Sequence, residues 1–207
     1  HIYQRILIQD PNHPCANYFM GVLLHSANQS YAGIPYLKKV LEINPEHIGA
    51  QLVLSDMYLN TDILDEADFL LVNLLERKPR NADALFRLGK LNQQRGNFHE
   101  AEDNFQQAFK NDRNMVAALI SHAKVCAALG DTDKALSLFR RAREIRPSDG
   151  EAHYGLALLN KNDINSDDIS QMEKTYKVKQ LGDKDKAYIC YALGKVYDDL
   201  HQYEKAF

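Results

Sequence analysis

Small residues stand at Gly21, Ser55, Gly89, Ala123 and Ala157, each thirty-four positions after the last. A second small series, Gly33, Ala67, Ala101 and Ala135, keeps the same step. Large residues stay in register with them: Tyr3, Leu37, Leu71, Phe105 and Phe139 in one column, and Ile6, Val40, Leu74, Ala108 and Ala142 in another. Pro11, Pro45, Pro79 and Pro147 form a further column, interrupted by Arg113. A fixed period of this length restricts the chain to architectures made by stacking one supersecondary unit, because a single unit cannot bury its apolar face alone.

The local pattern makes the unit helical. Leu85, Leu88, Gly89 and Asn92 follow the i, i+3, i+4, i+7 spacing of one helix face. A short turn follows at Gly96-Asn97 and Gly130-Asp131, with Asn28 and Asp62 at the equivalent place, all residues that end helices readily. Proline closes the second helix, since it lacks an amide donor and disfavours helical geometry in the residue before it. Each unit is thus expected to be a helical hairpin. Gly, Ala or Ser at its crossing lets the backbones approach to about 8 Å, the lower end of interaxial distances. The stack is an all-α solenoid of antiparallel helix hairpins.

A small residue at the eighth position, Ala or Gly at the twentieth, an aromatic or Leu at the twenty-fourth, Ala or an aliphatic at the twenty-seventh and Pro at the thirty-second resemble the tetratricopeptide repeat. The resemblance implies a right-handed superhelical solenoid over almost the whole chain. The expected units are residues 14–47, 48–81, 82–115 and 116–149, then a degenerate unit at 150–186 and a truncated one from 187, all in one domain. The aromatic common at the fourth position of the family is replaced by Asn17, Gln51, Leu85, Leu119, His153 and Cys190. Residues 1–13 match only a second helix and the chain stops inside another, so the sequence reads as a segment of a longer protein.

The register changes once: Ala157 to Gly194 is thirty-seven residues, three more than the period. The polar stretch from Asn162 to Ile169 reads as a turn, and a helix is expected from Asp168 to about Gln180, capped by Ser166 or Asp167. Asp163, Asn165 and Asp167 imitate the start of a calcium loop. Asp168 and Lys174 then stand where such a loop needs glycine and a bidentate glutamate, so the cap is the better reading. Asp168 to Glu173, followed by Tyr191 to Leu200 and Tyr203 to Phe207, also looks like the junction in bacterial proteins whose tetratricopeptide repeats precede a sulfotransferase domain. That resemblance implies a phosphoadenosine phosphosulfate-dependent parent and gives these residues no catalytic role.

Composition removes other classes. Twenty-five Lys and Arg against twenty-eight Asp and Glu give a formal charge of −3, which disfavours nucleic-acid binding by counterion release. No apolar run nears the roughly 20 residues of a membrane span. The widely spaced Cys15, Cys126 and Cys190 suggest neither disulfides nor a zinc site, pointing to a reducing, cytoplasmic setting. The eight histidines contain no i, i+4 pair, and no nucleophile elbow, zinc-protease or phosphate-loop motif is present. No catalytic residue, cofactor or metal is therefore implied.

What remains is surface. In such a stack the first helices line the concave side, with the second, fifth, ninth and twelfth positions facing the groove. The fifth reads Tyr18, Leu52, Phe86, Ile120, Tyr154 and Tyr191, and the ninth Val22, Asp56, Lys90, Lys124, Leu158 and Lys195. Aromatics interleaved with lysines suit a protein or peptide partner with apolar anchors and acidic flanks. The expected binding residues are Tyr18, Phe86, Arg87, Lys90, Gln94, Lys124, Tyr154, Tyr191 and Lys195, the best patch running from Phe86 to Gln94 with Lys124. The lysine and asparagine by which the family clamps chaperone tails are absent at Tyr18 and Val22, and at Phe86 and Lys90, which disfavours that partner class. Self-association through the terminal hairpins is a further possibility.

Overall fold

The computed structural model describes residues 2–159, 166–178 and 180–206. Among them are thirteen helices and no strand. The chain divides into two compact units, His1–Asn111 and Asp112–Phe207. The first unit holds α1 (Ile2–Gln9), α2 (Pro14–Ser26), α3 (Ser30–Ile43), α4 (Ile48–Asn60), α5 (Leu64–Arg77), α6 (Ala82–Gln94) and α7 (Phe98–Asn111). The second holds α8 (Val116–Ala128), α9 (Thr132–Ile145), α10 (Gly150–Leu159), α11 (Ser166–Tyr176), α12 (Asp183–Asp199) and α13 (Tyr203–Ala206).

The period of the sequence is the period of the helices. First helices begin at Pro14, Ile48, Ala82, Val116 and Gly150, and second helices at Ser30, Leu64, Phe98, Thr132 and Ser166, both in steps of thirty-four. Within a hairpin the turn is a left-handed residue: Asn28, Asp62, Gly96, Gly130 and His201 all have φ between 57° and 87°. In each, the next amide reaches back five residues, as from Gln29 to the Leu24 carbonyl at 2.8 Å and from Asn97 to the Asn92 carbonyl at 2.8 Å. This satisfies carbonyls that a helix end leaves free.

First helices are capped in register too. His13 and His47 accept the amides of Ala16 and Ala50 on Nδ1, while Asn81 and Asp149 accept those of Ala84 and Ala152 on a side-chain oxygen. The fourth position has its own task. Asn17, Gln51 and His153 donate to the carbonyls of Pro11, Pro45 and Pro147, six residues back, at 2.9, 2.8 and 2.9 Å. In these three hairpins a polar side chain at the fourth position thus ties the hairpin to the turn before it, while Leu85 and Leu119 stand at that position in the other two.

The small columns sit where expected. A Cβ on Gly21 would lie 2.6 Å from Leu37 Cγ, and one on Gly89 2.6 Å from Phe105 Cε1. The first unit's core gathers Leu37, Val40, Leu54, Met57, Leu71, Leu74 and Leu91, all at most 2% exposed. The second has a cluster of Ala157, Met172, Ile189, Ala192 and Val196. At about 1.5–3 kcal/mol for each large side chain removed from water, these columns supply the driving force for stacking.

Two boundaries differ from the sequence reading. The helix expected from Asp168 to Gln180 runs from Ser166 to Tyr176, so Ser166 and Asp167 belong to its first turn and do not precede it. Asp167 and Asp168 favour that start by facing the helix N-terminus, and Asp168 is held by Arg143 of α9 at 2.6 Å. Second, α12 starts four residues before the expected 187, because Asp185 is engaged: its side chain accepts the Gly150 amide at 3.0 Å. The three-residue slip falls after α11 begins, since α13 starts thirty-seven residues after it. The residues at 160–165, including Asp163 and Asn165 of the calcium-loop comparison, lie outside the described residues.

Candidate functional site

In the second unit, α8, α9, α10 and α12 enclose a cavity of about 230 Å³ lined by Lys124, Phe139, Glu151, Tyr154, Leu158 and Tyr188, among others. Its floor depends on a glycine: a Cβ on Gly155 would meet Phe139 Cζ at 2.4 Å. The absent side chain lets the Phe139 ring press against α10 and leaves space above it. One wall is aromatic. Tyr154 lies 5.7 Å from Tyr188 and 6.3 Å from Tyr191, ring centre to ring centre, and Tyr191 is two-thirds exposed at 67%. Leu158 is open to solvent beside them, at 41%.

The rim carries charge in opposed pairs. Glu151 pairs with Lys124 and lies 3.9 Å from Lys184, whose ammonium also stands over the Tyr188 ring at 5.7 Å. The position of Lys184 follows from the early start of α12. Gly150 makes that start possible, because a Cβ there would lie 2.3 Å from the Asp185 carbonyl oxygen. A ligand pocket for a drug-sized molecule measures about 300–1,000 Å³. This smaller, aromatic-walled space matches one large apolar side chain, with a lysine and a carboxylate at its edge to fix the segment that carries it.

On α10, next to Tyr154 in the chain, His153 is buried at 1% exposure and donates from Nε2 to the Pro147 carbonyl. Burial pushes its imidazole below the ordinary 6.5, an effect to which Arg143 adds, while the Pro147 hydrogen bond and Asp149 and Asp168 oppose it. Its Nδ1 has no hydrogen-bond partner among the described residues. Across α11 and α12, the Tyr197 hydroxyl donates to Glu173 at 2.5 Å, and that bond, with burial, pushes the phenol up to about 12.

Of the residues singled out in the sequence, Lys124 and Tyr154 line the cavity and Tyr191 adjoins it. Lys195, one turn away, is paired with Asp199 on its own helix. In the first unit Phe86, Arg87, Lys90 and Gln94 share α6. Phe86 rests on Phe105 at 5.6 Å, Arg87 is bound by Asp56 at 2.7 Å and Asp83 at 3.3 Å, and Gln94 donates to the Leu59 carbonyl at 3.4 Å. Lys90 is half-buried and makes no ion pair among the described residues. Tyr18 packs on Phe19 and His47, at 5.3 and 5.0 Å.

The residues that the sequence reading passed over are Glu151, Gly155, Leu158 and Tyr188. Glu151 and Tyr188 are second-position residues and Leu158 a ninth-position one, so the groove-facing stripe already contained them. Gly155, at the sixth position, lies outside every small column, and only the packing of Phe139 identifies it.

Comparison with known proteins agrees with this architecture. Family models described as tetratricopeptide repeat match residues 16–47, 86–150 and 121–160, together about half the chain. Anaphase-promoting complex subunit 3 of Schizosaccharomyces pombe is 30% identical over 136 residues, covering 65% of this chain and 20% of its own length. The chain thus spans a fifth of that relative. Among solved structures, the thermophilic protein TTC0263 of Thermus thermophilus superposes with a TM-score of 0.68 at 19% identity, covering 87% of this chain and 98% of its own. YrrB, described as having an unusual peptide-binding site, superposes with a TM-score of 0.60 at 19% identity, covering 100% of this chain and 96% of its own. No described helix is long and apolar enough to cross a membrane.

Proposed function

We propose, from the premise that this chain belongs to the tetratricopeptide repeat family, that it is an interaction scaffold whose second unit holds one large apolar side chain of a protein or peptide partner. The observation that carries the reading is the cavity over Gly155, where Tyr154, Leu158 and Tyr188 give an apolar wall and Lys124 and Glu151 a polar edge. A partner segment gains about 25 cal/mol for each Å² of apolar surface it buries there. Lys124 and Glu151 pair with each other at that edge, with Lys184 3.9 Å from the carboxylate, so the edge offers hydrogen-bonding groups to the segment that carries the anchor. The likeness to a relative named as a subunit of the anaphase-promoting complex, and the peptide site described for YrrB, support a binding role of this kind. Exposed, unpaired Cys15 and Cys190 favour a reducing, cytoplasmic location.

Peptides selected from a random displayed library on the intact chain test this. The selected sequences should share a large apolar residue and lose about tenfold or more in affinity when Leu158→Asp places a charge in the wall. Selection of sequences without an apolar anchor, or unchanged affinity for the variant, contradicts it.

A second reading makes the segment the non-catalytic front of a sulfotransferase, orienting its substrate or pairing two copies. It is supported by the Asp168 to Glu173, Tyr191 to Leu200 and Tyr203 to Phe207 stretches alone. Residues of the parent protein that follow Phe207 decide between the two. A strand, phosphate-binding turn and helix favour the enzyme, and further thirty-four-residue hairpins favour the scaffold.

A further inference from the structure

The first unit has a second apolar opening, on the side of the second helices. It lies between α3 and α5, with Leu54 and Tyr58 of α4 as its floor, and measures about 350 Å³. Phe69 stands at its lip, 71% exposed, and Val72 beside it is 43% exposed. A phenylalanine this exposed gains nothing from the core, while the fissure next to it is lined by Leu41 and Leu70.

The charges around it are unequal. Asp65 and Asp68 of α5 are taken by Arg95 at 2.8 and 2.6 Å, Arg77 by Glu46 at 3.3 Å, and Lys39 is turned to the Pro11 carbonyl. Left without an ion pair among the described residues are Glu42, Glu66, Glu76 and Lys38. On α5 the exposed face reads Glu66, Phe69, Val72, Glu76, so two carboxylates bracket two apolar side chains. Ten residues of helix separate them by about 15 Å, the span of about five extended residues.

We propose that this fissure is a docking site, separate from the cavity of the second unit, for a short basic segment of a partner protein, with an apolar side chain entering beside Phe69 and lysines or arginines meeting Glu66 and Glu76. The complementarity is carried by unpaired carboxylates at both ends of an apolar stripe. Lys38 at the Glu42 end disfavours a segment that is basic throughout, so the anchor itself is uncharged.

The test uses a short labelled peptide with a central phenylalanine flanked on both sides by lysines, and the same peptide with glutamates in place of the lysines, titrated into the intact chain by fluorescence anisotropy. The lysine peptide should bind, weakening with added salt, and the glutamate peptide should not. Glu66→Lys with Glu76→Lys should weaken the lysine peptide by about tenfold or more. Phe69→Ala should do the same while leaving the thermal midpoint unchanged. If Phe69→Ala lowers that midpoint, the charge pair alone decides. Equal binding of the two peptides, binding untouched by the charge reversal, or loss caused by Leu158→Asp in the second unit overturns the proposal. So does a mass that doubles with concentration in light scattering and returns to the monomer in Phe69→Asp, because a second copy then covers the fissure.

Discussion

Gly89 of α6 lies so close to Phe105 of α7 that a Cβ on the glycine would stand 2.6 Å from Cε1 and 2.7 Å from Cδ1 of the ring. Phe105 is fully buried, so a Cβ on Gly89 can be admitted only if the ring shifts within the core. This pair, sixteen residues apart, is the crossing point of its hairpin, and Gly21 with Leu37 repeats it.

Two opposed terms decide what alanine does at Gly89. Removing a mid-helix glycine gains about 1 kcal/mol of helix propensity, while overpacking against a fixed ring costs about 1–3 kcal/mol. The second wins, and Gly89→Leu fares worse. Chemical denaturation should show both variants less stable, with leucine the lower. An increase in the midpoint for alanine would show that the ring yields.

At Gly96 the same substitution fails for a different reason. Nothing lies within 4 Å of a Cβ there, but φ is +79°, and the left-handed region costs an L-residue about 1–2 kcal/mol. Gly96→Asn, the residue found at position 28 of the same column with φ 57°, should recover much of what Gly96→Ala loses. Thermal midpoints of the two variants compare them directly.

Asn81 accepts the Ala84 amide at 2.8 Å. Asn81→Ala should lower stability by about 1 kcal/mol, and Asn81→Asp should retain it, since either oxygen can cap. Equal loss in both would assign the effect to something other than the cap.

The buried His153 makes stability depend on pH. Its imidazole is held below the ordinary 6.5 in the folded chain, so the unfolded chain binds the extra proton first. The stabilising contribution is complete above 6.5 and is lost as pH falls through that value toward the lower folded one. His153→Gln, which places at this site the residue of position 51, can keep the hydrogen bond to the Pro147 carbonyl without titrating. The variant should gain on the parent in thermal midpoint as pH falls from about 7.5 to about 5.5. A constant difference would contradict this role.

The hairpin grid was open to reading because period, column and turn chemistry are properties of single positions. Gly96 and Gly130 announce left-handed turns, and Asn28 and Asp62 mark the same place less loudly. His201 takes the same conformation, which histidine adopts more readily than most side chains, but it falls outside the thirty-four-residue register and so was not marked by its column. The fourth-position residues were legible as a departure from the family, but their use was not: a donor six residues ahead of a proline carbonyl becomes a tie only when the turn is folded. Lys124 was legible as a cation on the expected groove-facing stripe and Arg87 as one beside it, at the sixth position, whereas their neutralisation by Glu151 and Asp56 depends on the neighbouring hairpin. Gly155 carried no signal at all, because its partner Phe139 belongs to the preceding repeat.

Chemical-shift mapping of the isotopically labelled chain, titrated with a peptide from the displayed-library selection, tests the central claim most directly. The Gly155 amide lies at the floor of the cavity and has the glycine region of the spectrum to report in. Saturable shifts are expected at Gly155, Tyr154, Leu158 and Tyr188, abolished in Leu158→Asp. Shifts confined to α3 and α5, or a peptide that binds while Gly155 stays unmoved, would contradict it.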